Sequence, residues 1–350
     1  MKDLRVGAVL LMICLLFVSL PLSSCARPAL YTATYLDAFD TVLTVQAASG
    51  SRAEAEDAIS EVHALVLGLH KQFDIYHDWS GVTGLKAVND HAGDGNPVPV
   101  SADVISLLKL GLNAYDLSGG LVNICLGSVL SLWHDARMDG TYIPDMATLE
   151  AAAAHTSPDV LEIDETAGTV RLTDPLSSLD VGAIAKGYVT AKVRDLLAER
   201  LDDGRLHGFL FDLGGNVLAL GAPPDDMAWA IGIRDPLTGG TLMTDYESDV
   251  AIVTSGADQR TFTVDGVAYH HLIDPDTLMP GDKCLSVTVM VRAGYDEVFP
   301  DTLMLSDALS TALFLMPREE AEAFVRRVGR GINVMWVLPD GSTDRIYITG

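Results

Sequence analysis

Apolar residues recur along the chain with two different periods, and each period predicts one kind of secondary structure. Over residues 51–70, the apolar residues at helical spacing fall on one stripe, which predicts an amphipathic helix: Ile59, Val62, Leu65, Val66 and Leu69. Similar patterns predict helices over 101–117, 148–155, 305–316 and 318–328, and a further helix that opens just after residue 180. Apolar runs bounded by turn residues predict strands over 160–163, 169–172, 208–212, 228–233, 250–254, 260–264, 267–273, 285–291, 332–338 and 345–349.

The order of these elements predicts the fold class. Strands dominate the second half of the chain, and short turns join most neighbouring strands; Asp265 and Gly266, for example, form a two-residue hairpin signal. Strands joined by short turns pair in an antiparallel sense. We therefore expect an α+β fold with largely antiparallel mixed sheets that are flanked by helices.

The first 25 residues are predicted to be a targeting segment rather than part of the fold. Lys2 and Arg5 precede an apolar stretch over 7–20 that is short for a membrane span, an order typical of a secretory signal peptide. Leu22 and two serines then lead to Cys25, which is the pattern of a bacterial lipobox. We predict that Cys25 is lipidated and begins the mature chain; the alternative is an ordinary signal peptide that contains a cysteine. Residues 26–34 are predicted to be a short tether and residues 35–350 to form the folded domain.

The remaining cysteines do not form a disulfide framework. Cys14 lies inside the targeting segment, so Cys125 and Cys284 are left in the folded domain. These two could pair, but each lies in an apolar stretch. The pattern favours two buried free thiols.

Charge changes this picture more than composition does. Hydrophobic residues make up 49% of the chain and charged residues 20%, which suits a globular core. However, 23 basic and 48 acidic residues give a net charge of −25. Nucleic acids need a basic surface, so no nucleic-acid partner is predicted. An anionic ligand would have to be met by a metal ion or by a helix N-terminus.

Five segments carry residues that suit chemistry at a ligand. The first, 180–188, places Asp180, Gly182, Ala183 and Lys186 at the start of a predicted helix. Small residues there let a ligand approach the backbone closely, free N–H groups favour phosphate, and Lys186 adds a positive charge. The alternative is a plain turn into a helix with a surface lysine.

Two segments at the ends of strands are candidates for close ligand contact. Residues 212–216 run from an aspartate through two glycines to an asparagine, and residues 254–256 are two hydroxyl residues and a glycine. Glycines permit tight backbone contact, and hydroxyls can hydrogen-bond a ligand. The alternatives are a β-turn and a capped turn. The candidate contacts are Asp212, Gly214, Thr254, Ser255 and Gly256.

A histidine pair lies in the predicted strand 267–273. Successive side chains in a strand point to opposite faces, so His270 and His271 are not expected to bind one metal ion together. A histidine with a carboxylate nearby is a suitable general base at neutral pH, and Asp274 follows closely. The alternative is a pair of structural histidines.

A carboxylate and a hydroxyl lie one helical turn apart in the predicted helix 305–316. Asp307 and Thr311 are four residues apart, so a helix places both oxygens on one face. Completed by backbone carbonyls and water, this pair suits a hard cation such as magnesium. The alternative is an aspartate that stabilises the helix dipole.

In this order and spacing, the five segments resemble the FAD:protein FMN transferase family, also called the ApbE-type flavin transferases. The resemblance covers nearly all of the chain after the targeting segment, and it implies an ApbE-like fold with the active-site cleft between two subdomains. The segments that carry it are 179–188, 212–216, 254–256, 271–275 and 307–311, with weaker matches at 39–44, 73–76, Asn89, 120–127 and 132–133.

The resemblance implies how the diphosphate of FAD is held. Asp307 and Thr311, with a backbone carbonyl near Ala183, are expected to hold Mg²⁺ against the diphosphate. Lys186 and the loop around Gly182 are expected to contact the phosphates or the adenosine side.

The resemblance also implies the contacts to the rings and the catalytic base. Tyr76 is expected to lie against a flavin or adenine ring, and His271 to act as the base for the acceptor hydroxyl with Asp274 in support. The other residues expected in the same cleft are Asp180, Asp212, Gly214, Thr254, Ser255 and Gly256.

The implied reaction is Mg²⁺-dependent transfer of FMN from FAD to a threonine or serine hydroxyl of an acceptor protein, with release of AMP. Implied acceptors are flavin-carrying subunits of membrane redox pumps or secreted flavoproteins. The lipid anchor implies a place on the outer face of the bacterial cytoplasmic membrane, or in the periplasm. The nearest alternative uses the same site with water as acceptor: an FAD pyrophosphatase that gives FMN and AMP. A second alternative, of a different class, is a non-catalytic flavin-binding lipoprotein.

The chain departs from the family pattern in three places. Phe39 and Asp40 replace a Met-Gly pair, and Leu278 stands where glycine is usual. Residues 257–259 stand where relatives often carry an acidic residue and a tyrosine. These departures bear on the flavin contacts more than on the reaction class.

Overall fold

The computed structural model describes residues 27–292, 301–328 and 331–347. The strands are β1 (Ala29–Ala38), β2 (Thr41–Ser49), β3 (Val98–Pro99), β4 (Leu161–Asp164), β5 (Thr169–Leu172), β6 (Gly208–Leu213), β7 (Asn216–Gly221), β8 (Trp229–Arg234), β9 (Thr241–Glu247), β10 (Val250–Gly256), β11 (Phe262–Val264), β12 (Val267–Tyr269), β13 (Ser286–Arg292), β14 (Ile332–Val337) and β15 (Thr343–Tyr347). The helices are α1 (Arg52–Phe73), α2 (Leu85–Asp90), α3 (Ala102–Ser118), α4 (Gly127–Asp139), α5 (Met146–Ala153), α6 (Ala185–Asp202), α7 (Thr302–Leu315) and α8 (Arg318–Val328).

One large sheet organises the molecule. It has eight strands in the order β1-β2-β6-β7-β10-β13-β14-β15, and all its neighbouring strands are antiparallel. A smaller sheet has the order β3-β5-β4, and β8 with β9 and β11 with β12 form two-stranded ribbons. The predicted α+β class with largely antiparallel sheets is confirmed.

Both faces of the large sheet are covered. Helices α1, α6 and α7 pack on one face, and the β8–β9 ribbon packs on the other. Strand β13 shows the consequence, because Val287, Val289 and Val291 enter the helix-side core while Met290 enters the ribbon-side core. The alternation follows from the two-residue period of a strand, and here it buries both faces.

Tight turns gather at one end of the large sheet. Gly214 and Gly215 join β6 to β7 with φ of 58° and 91°, and a Cβ on Gly214 would clash with the side chain of Thr41. Phe39 and Asp40, which join β1 to β2, also have positive φ of 57° and 49°. Strand β10 ends at this same end of the sheet, because it pairs antiparallel with β7. The turns therefore bring distant parts of the sequence to one edge.

Two sequence predictions need correction. Residues 29–34 of the predicted tether form the first part of β1, because their backbone groups pair with β2. Strand β12 ends at Tyr269, so His270 and His271 follow the strand instead of lying in it. The targeting segment with Cys25 lies outside the described residues.

Two other features of the described part bear on the sequence predictions. Cys125 and Cys284 are buried and unpaired, as predicted, and burial raises the pKa of both thiols to about 12. Among the described helices, none combines the length and apolar character that crossing a membrane requires.

Helices α6 and α7 cross at a glycine. A Cβ on Gly187 of α6 would lie 2.5 Å from the carbonyl oxygen of Met304 and 3.1 Å from the Cβ of Asp307, both on α7. Only a residue without a side chain allows this approach. The crossing brings the residues beside Gly187 directly against Asp307.

We predict that Gly187→Ala lowers the free energy of unfolding by about 1–3 kcal/mol, because the added methyl group meets backbone that cannot move freely. Gly68→Ala is the matched control, since Gly68 lies on α1 and a methyl group added there would meet no atom within 4 Å. That change should leave stability unchanged or raise it by up to about 1 kcal/mol. Urea unfolding measures both, and equal effects of the two changes would contradict the close crossing.

Candidate active site

A cleft of about 500 Å³ lies at the turn-bearing end of the large sheet. The loop before α6, the end of β10, helix α7 and the segment after β12 all contribute to its walls. Twelve residues proposed from the sequence line it, so most of the predicted site comes together. They are Tyr76, Asp180, Gly182, Ala183, Lys186, Gly214, Thr254, Ser255, Gly256, His271, Asp307 and Thr311.

Asp307 and Lys186 form the charged centre of the cleft. The Nζ atom of Lys186 lies 3.2 Å and 3.4 Å from the two carboxylate oxygens of Asp307, and 3.5 Å from the carbonyl oxygen of Gly182. Asp307 is only 4% exposed, so its charge needs such a partner. The pair follows from the crossing of α6 and α7, since Lys186 precedes Gly187.

A chain of hydroxyl groups supports the helix that carries Asp307. The Oγ of Ser310 donates to the backbone carbonyl oxygen of Asp307 at 2.9 Å, and the Oγ of Ser255 lies 2.7 Å from the Oγ of Ser310. Ser255 also lies 3.5 Å from the Oγ1 of Thr311. Ser255, which the sequence analysis proposes as a ligand contact, therefore also links the end of β10 to α7.

The oxygens around Asp307 fit a hard cation. The ammonium of Lys186 lies within hydrogen-bond distance of both the Asp307 carboxylate and the carbonyl oxygen of Gly182. These oxygens therefore already surround a positive charge. Thr311 adds a hydroxyl one turn away on the same helix. Magnesium is commonly held by one or two carboxylates together with substrate phosphates. In the ranges that the structure describes, no three His, Cys, Asp or Glu side chains form a metal-binding group, so these oxygens are the donors to consider.

The hydrogen bonds of the two histidines distinguish their roles. The backbone N–H of Leu272 donates to Nδ1 of His270, whose Nε2 lies 2.9 Å from the carbonyl oxygen of Gly281, so both of its ring nitrogens serve the backbone. In His271, Nδ1 lies 3.2 Å from the carbonyl oxygen of Gln259. A carbonyl can only accept, so Nδ1 carries the proton and Nε2 keeps its lone pair. Of the two histidines, His271 is the one suited to accept a proton.

The environment of His271 holds it neutral. Burial, followed by the positive charges of Arg260 and Lys186, lowers the pKa of His271 from 6.5 to about 3. Burial is also the main reason for the lowered pKa of His270. A neutral imidazole at physiological pH is the form that a general base requires.

An aromatic pair forms another wall of the cleft. The rings of Tyr76 and His134 stack with centroids 4.8 Å apart, and the Tyr76 hydroxyl lies 3.4 Å from Nδ1 of His134. Burial and the nearby charge of Asp180 raise the pKa of Tyr76 to about 12. Tyr76 is 48% exposed, so its ring can meet a planar ligand.

Asp180 is an acidic group inside the same cleft. One of its oxygens accepts the backbone N–H of Gly182 at 2.8 Å, which shapes the turn before α6. Burial raises the pKa of Asp180, while that hydrogen bond and the charge of Arg260 oppose the rise. Its main observed contact is therefore to the loop that carries Gly182 and Ala183.

Sequence analysis missed all three arginines that line the cleft, and one of them, Arg234, forms an ion pair with Asp258. Arg137 on α4 lies 3.2 Å from Nδ1 of His134, and Arg260 donates to the carbonyl oxygen of Phe39 at 3.4 Å. In the described part of the chain, neither guanidinium forms an ion pair with a carboxylate, so both can meet an anionic ligand. Burial, followed by the charge of Arg260, lowers the pKa of Arg137. One sequence feature could have indicated Arg260: it directly follows residues 257–259, which depart from the family pattern.

The structure corrects the places predicted for two aspartates. Asp212 accepts the backbone N–H of Gly215 at 2.9 Å, and Asp274 accepts the N–H of Asp276 at 2.9 Å. Neither carboxylate lines the cleft, and in the described structure the hydrogen bonds of Asp274 go to its own turn and not to His271. Both are used within their own turns, a common role for aspartate.

The comparisons with known proteins agree with this geometry. The sequence model of the ApbE family matches residues 39–336. The chain belongs to the ApbE family. It is 34% identical over 322 residues to the FAD:protein FMN transferase of Treponema pallidum, covering 85% of this chain and 83% of the relative.

Two further relatives extend the comparison. The FAD:protein FMN transferase of Klebsiella pneumoniae is 34% identical over 250 residues, which cover 69% of this chain and 75% of the relative. The crystal structure of the ApbE protein from Thermotoga maritima has a TM-score of 0.76 and 25% identity, and covers 91% of this chain and 97% of that chain.

Backbone geometry explains two departures from the family pattern. Phe39, Asp40 and Leu278 all have positive φ, at 57°, 49° and 59°. Glycine adopts this conformation without strain, so the glycine that the resemblance places at 40 and 278 would be less strained than Asp40 and Leu278. At Leu278 the side chain is buried, and its carbonyl oxygen accepts the indole N–H of Trp133 at 2.9 Å, so packing compensates for the strain.

We predict that His271 stays neutral in the free protein from about pH 8 to about pH 5. Its ring signals in an NMR titration, assigned with His271→Asn, should move only as the pH approaches 3, the value to which its pKa is lowered. A midpoint near 6.5 would contradict the half-buried, cation-flanked environment of this ring.

The same shift predicts a pH dependence of stability. The unfolded chain protonates this histidine near 6.5 and the folded chain near 3, so the unfolded state binds more protons between these values. The free energy of unfolding should therefore fall as the pH drops from 6.5 towards 3. Urea unfolding should show a smaller fall for His271→Asn than for the unchanged protein.

Proposed function

We propose that this protein transfers FMN from FAD to a threonine or serine hydroxyl of an acceptor protein and releases AMP. The observation that carries the proposal is the meeting of two groups in one cleft: a buried carboxylate that suits a cation, Asp307, and a neutral histidine, His271. Family membership supports it, since two relatives in the same family are named FAD:protein FMN transferase.

Charge neutralisation is the main task in transferring a phosphoryl group. Asp307 and Thr311, with a carbonyl of the loop at Gly182 and Ala183, would hold Mg²⁺ at the FAD diphosphate. When bound, the ion neutralises negative charge on the diphosphate oxygens. The Lys186 ammonium lies beside the same carboxylate and adds a second positive charge. These local charges allow a chain of net charge −25 to bind an anion.

His271 is the proposed general base. Its Nε2 takes the proton from the acceptor hydroxyl as the hydroxyl oxygen attacks the FMN-side phosphorus of FAD. The bond from that phosphorus to the bridging oxygen breaks, and AMP leaves with the electron pair. The hydrogen bond from Nδ1 to the carbonyl oxygen of Gln259 keeps the ring in the tautomer that this step requires.

The aromatic wall and the arginines are assigned to binding. We assign the exposed ring of Tyr76 to stacking on a planar ring of FAD, and its 48% exposure supports this. Arg137 and Arg260 supply further positive charge for the bound anion. Gly214, Thr254, Ser255 and Gly256 shape the cleft floor at the ends of the strands.

We also propose that the protein is a lipoprotein anchored through Cys25 to the outer face of the cytoplasmic membrane, or in the periplasm. The support is the lipobox pattern at Cys25 after a basic and apolar leader. The acceptor would then be a subunit of a membrane redox pump or a secreted flavoprotein.

The experiment that tests the function follows AMP release and acceptor mass together. The purified protein is incubated with FAD and Mg²⁺, with and without a candidate extracytoplasmic flavoprotein as acceptor. A mass gain of one FMN less water on the acceptor, lost with a chelator, is the expected result. Each flavoprotein of the membrane fraction is offered as acceptor in turn. If AMP and free FMN are released and none of these acceptors gains mass, the protein is an FAD pyrophosphatase instead. Tight FAD binding without turnover would establish a flavin-binding lipoprotein.

We predict that Asp307→Ala lowers Mg²⁺-dependent AMP release by more than about 100-fold, since it removes the carboxylate ligand of the cation. AMP chromatography over a Mg²⁺ titration measures this loss. Asp212→Asn is the control, because that carboxylate lies in a turn outside the cleft, and it should keep most of the activity. Unchanged metal-dependent release by Asp307→Ala would remove the metal assignment.

We predict that cells expressing the full chain incorporate a labelled palmitate analogue into the protein, and that Cys25→Ala abolishes the labelling. Cys14→Ala is the matched control, because Cys14 lies in the apolar leader, and it should remain labelled. Gel fluorescence measures the label. Equal labelling of the unchanged protein and Cys25→Ala would refute lipidation at this cysteine.

A further inference from the structure

Asn216 is a buried polar residue whose place is fixed on two sides. It begins β7 directly after the Gly214–Gly215 turn and pairs with Leu213 across that turn. On the other side it pairs with Val253 of β10. Its side chain is 1% exposed, so it lies behind the cleft wall and not in the open cleft.

The side chain of Asn216 is directed at Asp307. Its Nδ2 donates to Oδ1 of Asp307 at 3.5 Å, and its own Oδ1 has no hydrogen-bond partner among the described residues. The amide must point its NH₂ group at Asp307, because the flipped amide would place its oxygen against a negatively charged carboxylate oxygen. The neutral amide and the ammonium of Lys186 are the two side-chain donors to this carboxylate in the described structure.

Stability alone does not account for Asn216. A buried amide that meets one weak partner and leaves its oxygen unpaired costs free energy, while an apolar side chain of similar size would not. Its turn needs the two glycines, but nothing in the turn needs an asparagine side chain, which makes no hydrogen bond to the backbone there. Within the described ranges its side chain hydrogen-bonds Asp307 and no other residue, which points to the function of Asp307.

We propose that Asn216 is a positioning residue for the cation site: it fixes the rotation of the Asp307 carboxylate from behind, so that the oxygens presented to the cation keep one orientation. This role rests on the proposed binding of a divalent cation by Asp307. Magnesium demands near-ideal octahedral geometry, so a carboxylate free to rotate binds it less well. Groups that orient a metal ligand without touching the metal typically change affinity about 10–100-fold when removed.

The test separates metal binding from stability. The probe is Mn²⁺, titrated into the full mature protein without FAD and followed by electron paramagnetic resonance, with Mg²⁺ as competitor. Asn216→Leu removes the amide at similar volume, and Asn216→Ala removes it without adding bulk. We expect both variants to bind Mn²⁺ about 10–100-fold more weakly. We also expect urea unfolding in a chelator to show Asn216→Leu as stable as the unchanged protein, or more stable.

Ser306→Ala is the matched control. Ser306 is a buried polar neighbour of Asp307 on α7, but its Oγ donates to the carbonyl oxygen of Leu303 in its own helix. This variant should bind Mn²⁺ as the unchanged protein does. Equal weakening in Ser306→Ala would show a general disturbance of α7 and overturn the role of Asn216.

The remaining outcomes also decide the matter. Unchanged Mn²⁺ affinity in both Asn216 variants overturns the positioning role and leaves the proposed reaction standing. A loss of affinity matched by a loss of stability in the chelator, in both variants, assigns Asn216 to the fold and overturns the proposal. If the unchanged protein binds no Mn²⁺ that Mg²⁺ can displace, Asp307 holds no cation before FAD binds, and a positioning role of Asn216 in the protein without FAD is overturned.

Discussion

The close crossing of α6 and α7 at Gly187 is the constraint on which the candidate active site depends. It brings a carboxylate that is almost fully buried, Asp307, within 3.2 Å of the Lys186 ammonium. A buried charge without a partner is costly, so the crossing and the ion pair support each other. Asn216 and the hydroxyl chain through Ser310 then hold the same carboxylate and its helix from other directions.

The second feature of the site is positive charge concentrated within a strongly acidic protein. Lys186, Arg137 and Arg260 face one cleft, while the chain as a whole carries −25. Burial, followed by the positive charges of Arg260 and Lys186, keeps His271 neutral by lowering its pKa. The positive charges of the cleft therefore have two effects. They attract an anionic substrate, and they help to keep the proposed base, His271, in the neutral form that can accept a proton. Binding of the anion would in turn offset part of that positive charge at His271.

Much of the fold followed from apolar periodicity, because helices such as α1 and α8 bury one stripe and central strands such as β10 bury both faces. Strand β9 escaped prediction, since its residues are only partly buried and show no clear alternation. The sequence predicts a tether at the beginning of β1 for a related reason. This is an edge strand with many exposed positions, and its pairing with β2 gives it order.

Residue type and the order of the motifs were enough to propose the candidate ligand and catalytic residues. The side-chain type shows which reactions a residue can support, and several motifs in a fixed order along the chain indicate one common site. They identified Asp307, Thr311, Lys186 and His271, and the structure places all four in one cleft. Similar local patterns could be told apart only by how the chain packs. Asp212 and Asp274 resemble ligand contacts beside glycine or proline, yet both bind the N–H groups of their own turns. Packing also decided that the arginines line the cleft and that Asn216 hydrogen-bonds Asp307. Asn216 and Asp307 are 91 positions apart, so their contact depends on how helices and strands meet.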